Sequence, residues 1–380
     1  MKYAFILFNV VVLCFSNVCE AQKTIAIATY KCYGAPPWDP ESIKSGITGS
    51  EEAVIYVSRE LAEIGYRVLI LGDPPKNSRH SQPGANPRYV DVDFNDGTRF
   101  DIAISWRMPE AAERLKKRAD RVYFWPHDTY DSPLTSPQID AFDGVLWLSK
   151  WQREYWIWRN PGFAKFTTVF GNGIVPEQFQ DVQERENSFS CIYGSNYARG
   201  LDILLNCWPS IKQQFPKATL DIYYGWQHWG LLAPAKEAAM RAQVILLGPL
   251  GVKEHGLVSH EELNQAYSRA SFWTYPCTAP ETFCITALRA QLSGAIPVII
   301  EGTALKETVR WGYKCAKPED YPQTLFKAME RAEAATLEER RKMGEFIISE
   351  YSWKKIAEGW NRFFEEISNQ NSRKEDGAGV

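Results

Sequence analysis

The sequence predicts an α/β protein built from two successive strand–helix domains. Three observations carry this. Short apolar runs alternate with helical patterns along nearly the whole chain. The alternation stops at the polar, acidic stretch Pro176 to Asn187, which reads as an interdomain linker, and restarts after it. A length of 380 residues suits two domains better than one or four.

The composition is that of an ordinary globular enzyme, 45% hydrophobic and 23% charged. A formal net charge of -3 shows no basic surplus, so no nucleic-acid partner is expected. The 14 Trp and 18 Tyr suit carbohydrate surfaces, although most are expected in the core. Residues 1–22 place Lys2 before an apolar run from Tyr3 to Phe15 and offer Ala21 for cleavage. This has the form of a secretory signal peptide and is short for a span of ~20 apolar residues. Export or membrane association is therefore expected; an uncleaved anchor or an over-long gene start, with a cytoplasmic protein, is the alternative. Two of the eight cysteines lie in this leader, and the other six show no C-x-x-C spacing and no metal-ligand pattern.

The first domain, 23–180, opens on the strand Lys23 to Thr29. A Pro- and Gly-rich loop follows and ends in Gly46-Ile-Thr-Gly49-Ser50-Glu51-Glu52, leading into a helix Ala53 to Ile64. Thr48 and Glu51 have capping-box spacing, and Gly65 closes the helix. Gly46 and Gly49 let backbone approach a ligand at a helix start, but the pattern is not G-x-G-x-x-G. Strands follow at Arg67 to Leu71, Phe100 to Trp106, Arg121 to Trp125, Gly144 to Leu148 and Thr167 to Phe170. Helices are expected over Pro109 to Arg118 and Lys150 to Arg159. His127 stands just past the strand ending at Trp125, where a titratable side chain faces a ligand or simply caps the core. Asp91-Val-Asp93 falls in an alternating V-D-V-D-F run and is not read as a metal site.

The second domain, 181–345, repeats the rhythm with strands at Phe189 to Tyr193, Ala218 to Tyr224 and Val244 to Leu246, and helices at Leu201 to Phe215 and Glu261 to Ala270. Arg199, just before a helix, could clamp a diphosphate or be an ordinary exposed arginine. The strongest local signal is Ser271 to Ile300, read as strand, turn, a helix from Thr282 to Leu292 and a second strand. At that helix mouth the N–H groups of Thr282, Phe283 and Cys284 can hold a phosphate, and Glu281 can accept from sugar hydroxyls. Glu281 could alternatively only complement the helix dipole. A charged helix is expected over Glu333 to Lys342, an amphipathic one over 346–368, and a disordered tail over 369–380.

Taken together, SGITGSEEAV (45–54), WPHD (125–128), VLWLSKWQREYW (145–156), FGNGIVPEQF (170–179), YGSNYARGLDILLNCWP (193–209), HGLVSHEELNQAYSRASFWTYP (255–276) and PETFCITALRAQLSGAIPV (280–298) resemble the retaining glycosyltransferases of family 4. The resemblance implies the GT-B fold: two Rossmann-like domains facing across a cleft, with the last amphipathic helix crossing back to the first. It implies a hexosyltransferase-like enzyme that moves a sugar from a nucleotide-diphosphate sugar to a glycan, lipid or other acceptor with retention, without metal or cofactor. Peripheral membrane association would fit a lipid acceptor. By the same resemblance Glu281 holds the donor sugar, His127 lies near the reacting carbon, and the amides of Phe283 and Cys284 take the diphosphate with Arg199. Gly256 and Leu257 then pack on the base, and Gly46 and Gly49 lie near phosphates and acceptor.

Two departures stand out. The family's E-x7-E motif has a second glutamate on the ribose; here that place is Arg289, a donor where an acceptor pair is usual. The usual Gly-Arg after the second domain's first strand is Gly194-Ser195. These keep open a non-catalytic nucleotide- or sugar-binding protein, or an epimerase or phosphorylase, on the same fold.

Overall fold

The computed structural model describes residues 22–31, 36–226 and 232–377. The leader up to residue 21 and Cys32 lie outside them, as do residues 378–380. Twelve strands form two six-stranded sheets, parallel throughout among the described residues. The first holds β1 (Thr24–Ala28), β2 (Arg67–Gly72), β3 (Arg88–Asp91), β4 (Phe100–Trp106), β5 (Ala119–Trp125) and β6 (Gly144–Val145) in the order β3-β2-β1-β4-β5-β6. The second holds β7 (Ser190–Gly194), β8 (Thr219–Tyr223), β9 (Val252–Gly256), β10 (Phe272–Tyr275), β11 (Ile296–Ile300) and β12 (Tyr313–Cys315) in the order β12-β11-β10-β7-β8-β9. Parallel strands are covered on both faces, which is why TIAIA and IPVII read as unbroken apolar runs. In each sheet the order reverses at one place, between β1 and β4 and between β7 and β10. Ligands of such sheets bind outside the carboxyl ends of the strands at that point.

The expected crossing helix is present as Trp353–Gly377. Trp353, Ile356, Ala357, Trp360 and Phe364 recur every three or four residues and are buried in the same cluster as Val54, Tyr123 and Trp125 of the first domain. Trp360 stands edge-on to Trp125 with centroids 4.8 Å apart, and Phe364 lies 4.6 Å from Tyr123. The helix does not run unbroken from 346. A separate helix, Leu337–Tyr351, ends at Ser352, whose extended backbone bridges Ile174. The bonds Ile174 N–H to Tyr351 carbonyl (2.7 Å) and Trp353 N–H to Ile174 carbonyl (3.1 Å) replace a helical turn. The crossing helix continues to Gly377, so residues 369–377 are helical where a disordered tail was expected.

Other expected elements are corrected. Val244 to Leu246 is not a strand but the end of the helix Pro234–Leu247, with Ile245 and Leu246 exposed. The apolar triplet imitates a buried strand, whereas the preceding KEAAMRAQ favours helix. The strand of that region is β9. Gly144 to Leu148 and Thr167 to Phe170 shrink to β6 and a single bridge between Trp147 and Val169. The helix after Gly46 starts at Gly49, and the Thr48 hydroxyl bonds the Glu51 carboxylate instead of capping the backbone. The helix expected from Thr282 begins at Ile285.

Candidate active site

Between the carboxyl ends of the two sheets lies a cleft of about 430 Å³, lined from both domains. Glu281 is buried on its second-domain wall. Its contacts fall on one oxygen: Oε1 accepts from Arg199 Nη1 (2.6 Å) and from the Tyr275 hydroxyl, with the Cys277 thiol at 3.9 Å. Its backbone N–H donates to Thr303 Oγ1 at 3.1 Å. Glu281 holds the Arg199 guanidinium well above its usual pKa, outweighing the opposing effect of burial. Burial pushes the Cys277 thiol up to about 11 and Cys284 well above the ordinary thiol range. Both stay protonated at neutral pH, so neither is a thiolate nucleophile.

The described residues include five non-glycine positions with positive φ. Arg107 (68°), Tyr224 (118°) and Cys284 (79°) line the cleft, and Thr303 (49°) holds the Glu281 amide. Such backbone costs about 1 to 3 kcal/mol per residue and gathers at functional sites. Cys284 explains the late helix start: its left-handed backbone turns the chain after Phe283, which is buried in the cluster shared with the first domain. A Cβ at Gly171 would meet the Phe283 ring at 2.9 Å, so glycine there makes room for it.

On the first-domain wall, His127 lies against Trp125 and Trp106, with centroids 4.5 and 5.8 Å away. Its Nε2 has no protein partner. Burial first, and the Arg107 charge second, hold the imidazole well below its usual pKa, so it is neutral at pH 7. Arg107 itself forms a two-point pair with Asp128: Nε to Oδ2 at 2.5 Å and Nη2 to Oδ1 at 2.9 Å. A histidine kept neutral when folded, with an unfolded pKa near ~6.5, takes up fewer protons than the unfolded chain at acid pH. Stability should therefore fall as pH drops below about 6.5, by up to ~1.4 kcal/mol per pH unit for His127. Denaturant unfolding of wild type and His127→Gln between pH 7.5 and 5.5 checks this; the variant should show the shallower slope.

Arg289 also lines the cleft, but its guanidinium is engaged across the domain boundary. Nη2 donates to Glu52 Oε1 (2.9 Å) and Oε2 (3.2 Å), and Nη1 to Asn264. His260 adds Nε2 to the Ile47 carbonyl at 3.2 Å, with Nδ1 3.5 Å from Glu52. Elsewhere along the boundary, Glu307 accepts from the Lys150 and Trp151 N–H groups (2.9 and 2.8 Å) at the start of the helix Lys150–Arg159. A carboxylate at a helix N-terminus is favoured by the unpaired amides and the dipole.

The cleft thus gathers His127, Glu281, Arg199, Phe283, Cys284, Arg289 and Gly49 of the expected site residues. Gly46, Gly256 and Leu257 do not line it. A Cβ at Gly46 (φ 95°) would lie 2.7 Å from Leu257 Cγ and 2.5 Å from the Val258 carbonyl, so this loop packs on the end of β9. Sequence reasoning missed Arg107 and Glu52 as site residues, and it expected only the backbone N–H of Thr282 to matter, not its hydroxyl. Arg107 directly follows β4 beside the reversal point, and that position was the available signal. A second cavity of about 510 Å³ shares Leu148 and Phe283 with the cleft but opens on the crossing helix. It holds none of Glu281, His127 and Arg199, so the site is assigned to the cleft between the strand ends.

The chain is similar in structure to sucrose-phosphate synthase from Thermosynechococcus elongatus: TM-score 0.71 at 14% identity, covering 92% of this chain and 100% of that one. A glycosyltransferase from Rickettsia africae matches with TM-score 0.67 at 12% identity over 91% of this chain and 99% of that one. HepE of Anabaena, solved with UDP-glucose, matches with TM-score 0.65 at 14% identity over 92% of this chain and 99% of that one. No protein-family model matches the chain, and no curated protein sequence does. At such identities the likeness establishes architecture: the chain has the GT-B fold.

Proposed function

We propose that the chain is a glycosyltransferase that takes a sugar from a nucleotide-diphosphate sugar and passes it to a glycan, lipid or other acceptor. The observation that carries this is the pairing of Glu281 and Arg199 opposite the neutral His127 at the facing strand ends of a GT-B cleft. A carboxylate suits the donor sugar's hydroxyls, a guanidinium suits the diphosphate, and an uncharged imidazole with an unpaired nitrogen suits a hydrogen bond near the reacting carbon. HepE, on the same fold, was solved with UDP-glucose, UDP, and UDP with glucose, which supports a nucleotide-sugar donor. Assignment to family 4, with retention and without metal, rests on the seven sequence stretches that resemble it. In that reading the diphosphate lies by Arg199 and the Phe283–Cys284 amides, Gly49 faces it from the first domain, and Gly256 and Leu257 lie towards the base. Gly46 supports this end of the cleft by carrying its loop onto Leu257.

A second reading, a nucleotide- or sugar-binding protein without turnover, is favoured by one observation. Arg289, at the family's ribose-binding place, spends its guanidinium on Glu52 and Asn264. A thermal-shift panel of UDP, GDP, ADP and their sugars tests both. A ligand at 100 times its dissociation constant should add about 2.7 kcal/mol of stability. One base should stand out; a protein that no nucleotide or sugar nucleotide stabilises would contradict the transferase reading and favour a binding protein for other ligands.

A further inference from the structure

We infer that Thr282 is a positioning residue that holds Glu281 and His127 in register across the domain boundary, an inference that rests on the transferase reading. Thr282 follows Glu281 directly and lines the cleft. Its hydroxyl donates to the backbone carbonyl of His127 at 2.8 Å, and its own carbonyl accepts from the Ser149 hydroxyl, also at 2.8 Å. Both partners belong to the first domain. His127 lies two residues past β5, and Ser149 is the N-cap of the helix Lys150–Arg159, its oxygen also accepting from the Gln152 N–H at 3.0 Å.

Glu281 is meanwhile tied to its own domain by Arg199, Tyr275 and Thr303. Thr282 therefore ties the segment that carries the carboxylate directly to the backbone that carries the imidazole. The side chain suits the task, because a β-branched residue has a stiff χ1 and presents its hydroxyl in a fixed direction. The next residue continues the seam: Phe283 is buried, with its ring 5.7 Å from Tyr351. Reacting groups misplaced by about 1 Å can lose on the order of a hundredfold in rate, so a short link between two halves of a site acts on turnover more than on binding.

Thr282→Val removes the hydroxyl while keeping the branched shape, and Thr282→Ser keeps the hydroxyl. Two measurements are made on the full chain. Hydrogen exchange should quicken in Thr282→Val at peptides covering 126–130 and 281–286, and not in Thr282→Ser. UDP release from UDP-glucose should fall roughly tenfold in kcat for Thr282→Val with KM nearly unchanged, the loss of one hydrogen bond, and recover in Thr282→Ser. Unaltered exchange at both peptides would overturn the inference, as would kcat and KM failing together with Tm, or a serine variant that does not recover. If the wild type releases no UDP, the transferase reading with this donor fails, and the exchange result alone decides the role of Thr282.

Discussion

Glu281→Ala is expected to cut turnover by about 10²-fold or more while leaving affinity for the bare nucleoside diphosphate nearly unchanged. Glu281 Oε1 is occupied by Arg199 and Tyr275, and the carboxylate lines the cleft wall, where the proposed transferase reading puts the donor's sugar. Its removal takes acceptors from the sugar and leaves the nucleotide's own contacts in place. It also releases the Arg199 guanidinium, which is then freer to meet a phosphate, so nucleotide affinity should hold or rise. Steady-state turnover beside calorimetric titration of the nucleoside diphosphate checks this. Glu281→Gln, closer in size, separates lost charge from a collapsed pocket. Equal losses for nucleotide and sugar nucleotide would place Glu281 away from the sugar.

Arg289→Glu is the second large effect. The substitution sets a carboxylate against Glu52 inside a boundary where both side chains are buried. Breaking a buried pair by losing one partner costs about 3 to 5 kcal/mol, and a like charge adds to this. The variant should unfold at lower denaturant and bind nucleotide more weakly, because the pair helps hold the two walls of the cleft together. Exchanging the charges in Glu52→Arg with Arg289→Glu should recover part of the stability, the signature of coupled neighbours. A single variant as stable as wild type and tighter for nucleotide would instead mark position 289 as an ordinary ribose site that lost its glutamate.

These two residues show what the sequence could and could not reveal. The carboxyl ends of strands in a parallel sheet are legible, because buried runs such as Arg121 to Trp125 stop abruptly in turn residues. Spacing alone puts His127 and Glu281 past strand ends, and both line the cleft. The crossing helix is legible for a similar reason: its apolar stripe through Ile356, Trp360 and Phe364 needs a partner surface. The partner of Arg289 is not legible, since Glu52 is 237 residues away and appears in sequence as one more acidic residue in a helix's first turn. The left-handed backbones of Cys284 and Thr303 are equally hidden, because nothing in a cysteine or threonine announces a positive φ. Local pattern misled at Val244 to Leu246, where an exposed apolar end of a helix has the composition of a strand.

Transfer from a nucleotide sugar is tested most directly by nucleoside-diphosphate release. The sugar nucleotide that most stabilises the protein is supplied with a panel of glycan and lipid acceptors, and with water alone. Steady release that Glu281→Gln lowers by about a hundredfold is expected. A sugar nucleotide that binds in the cleft and stabilises the fold, yet never yields nucleoside diphosphate with any acceptor, would contradict it and leave a binding protein on a GT-B scaffold.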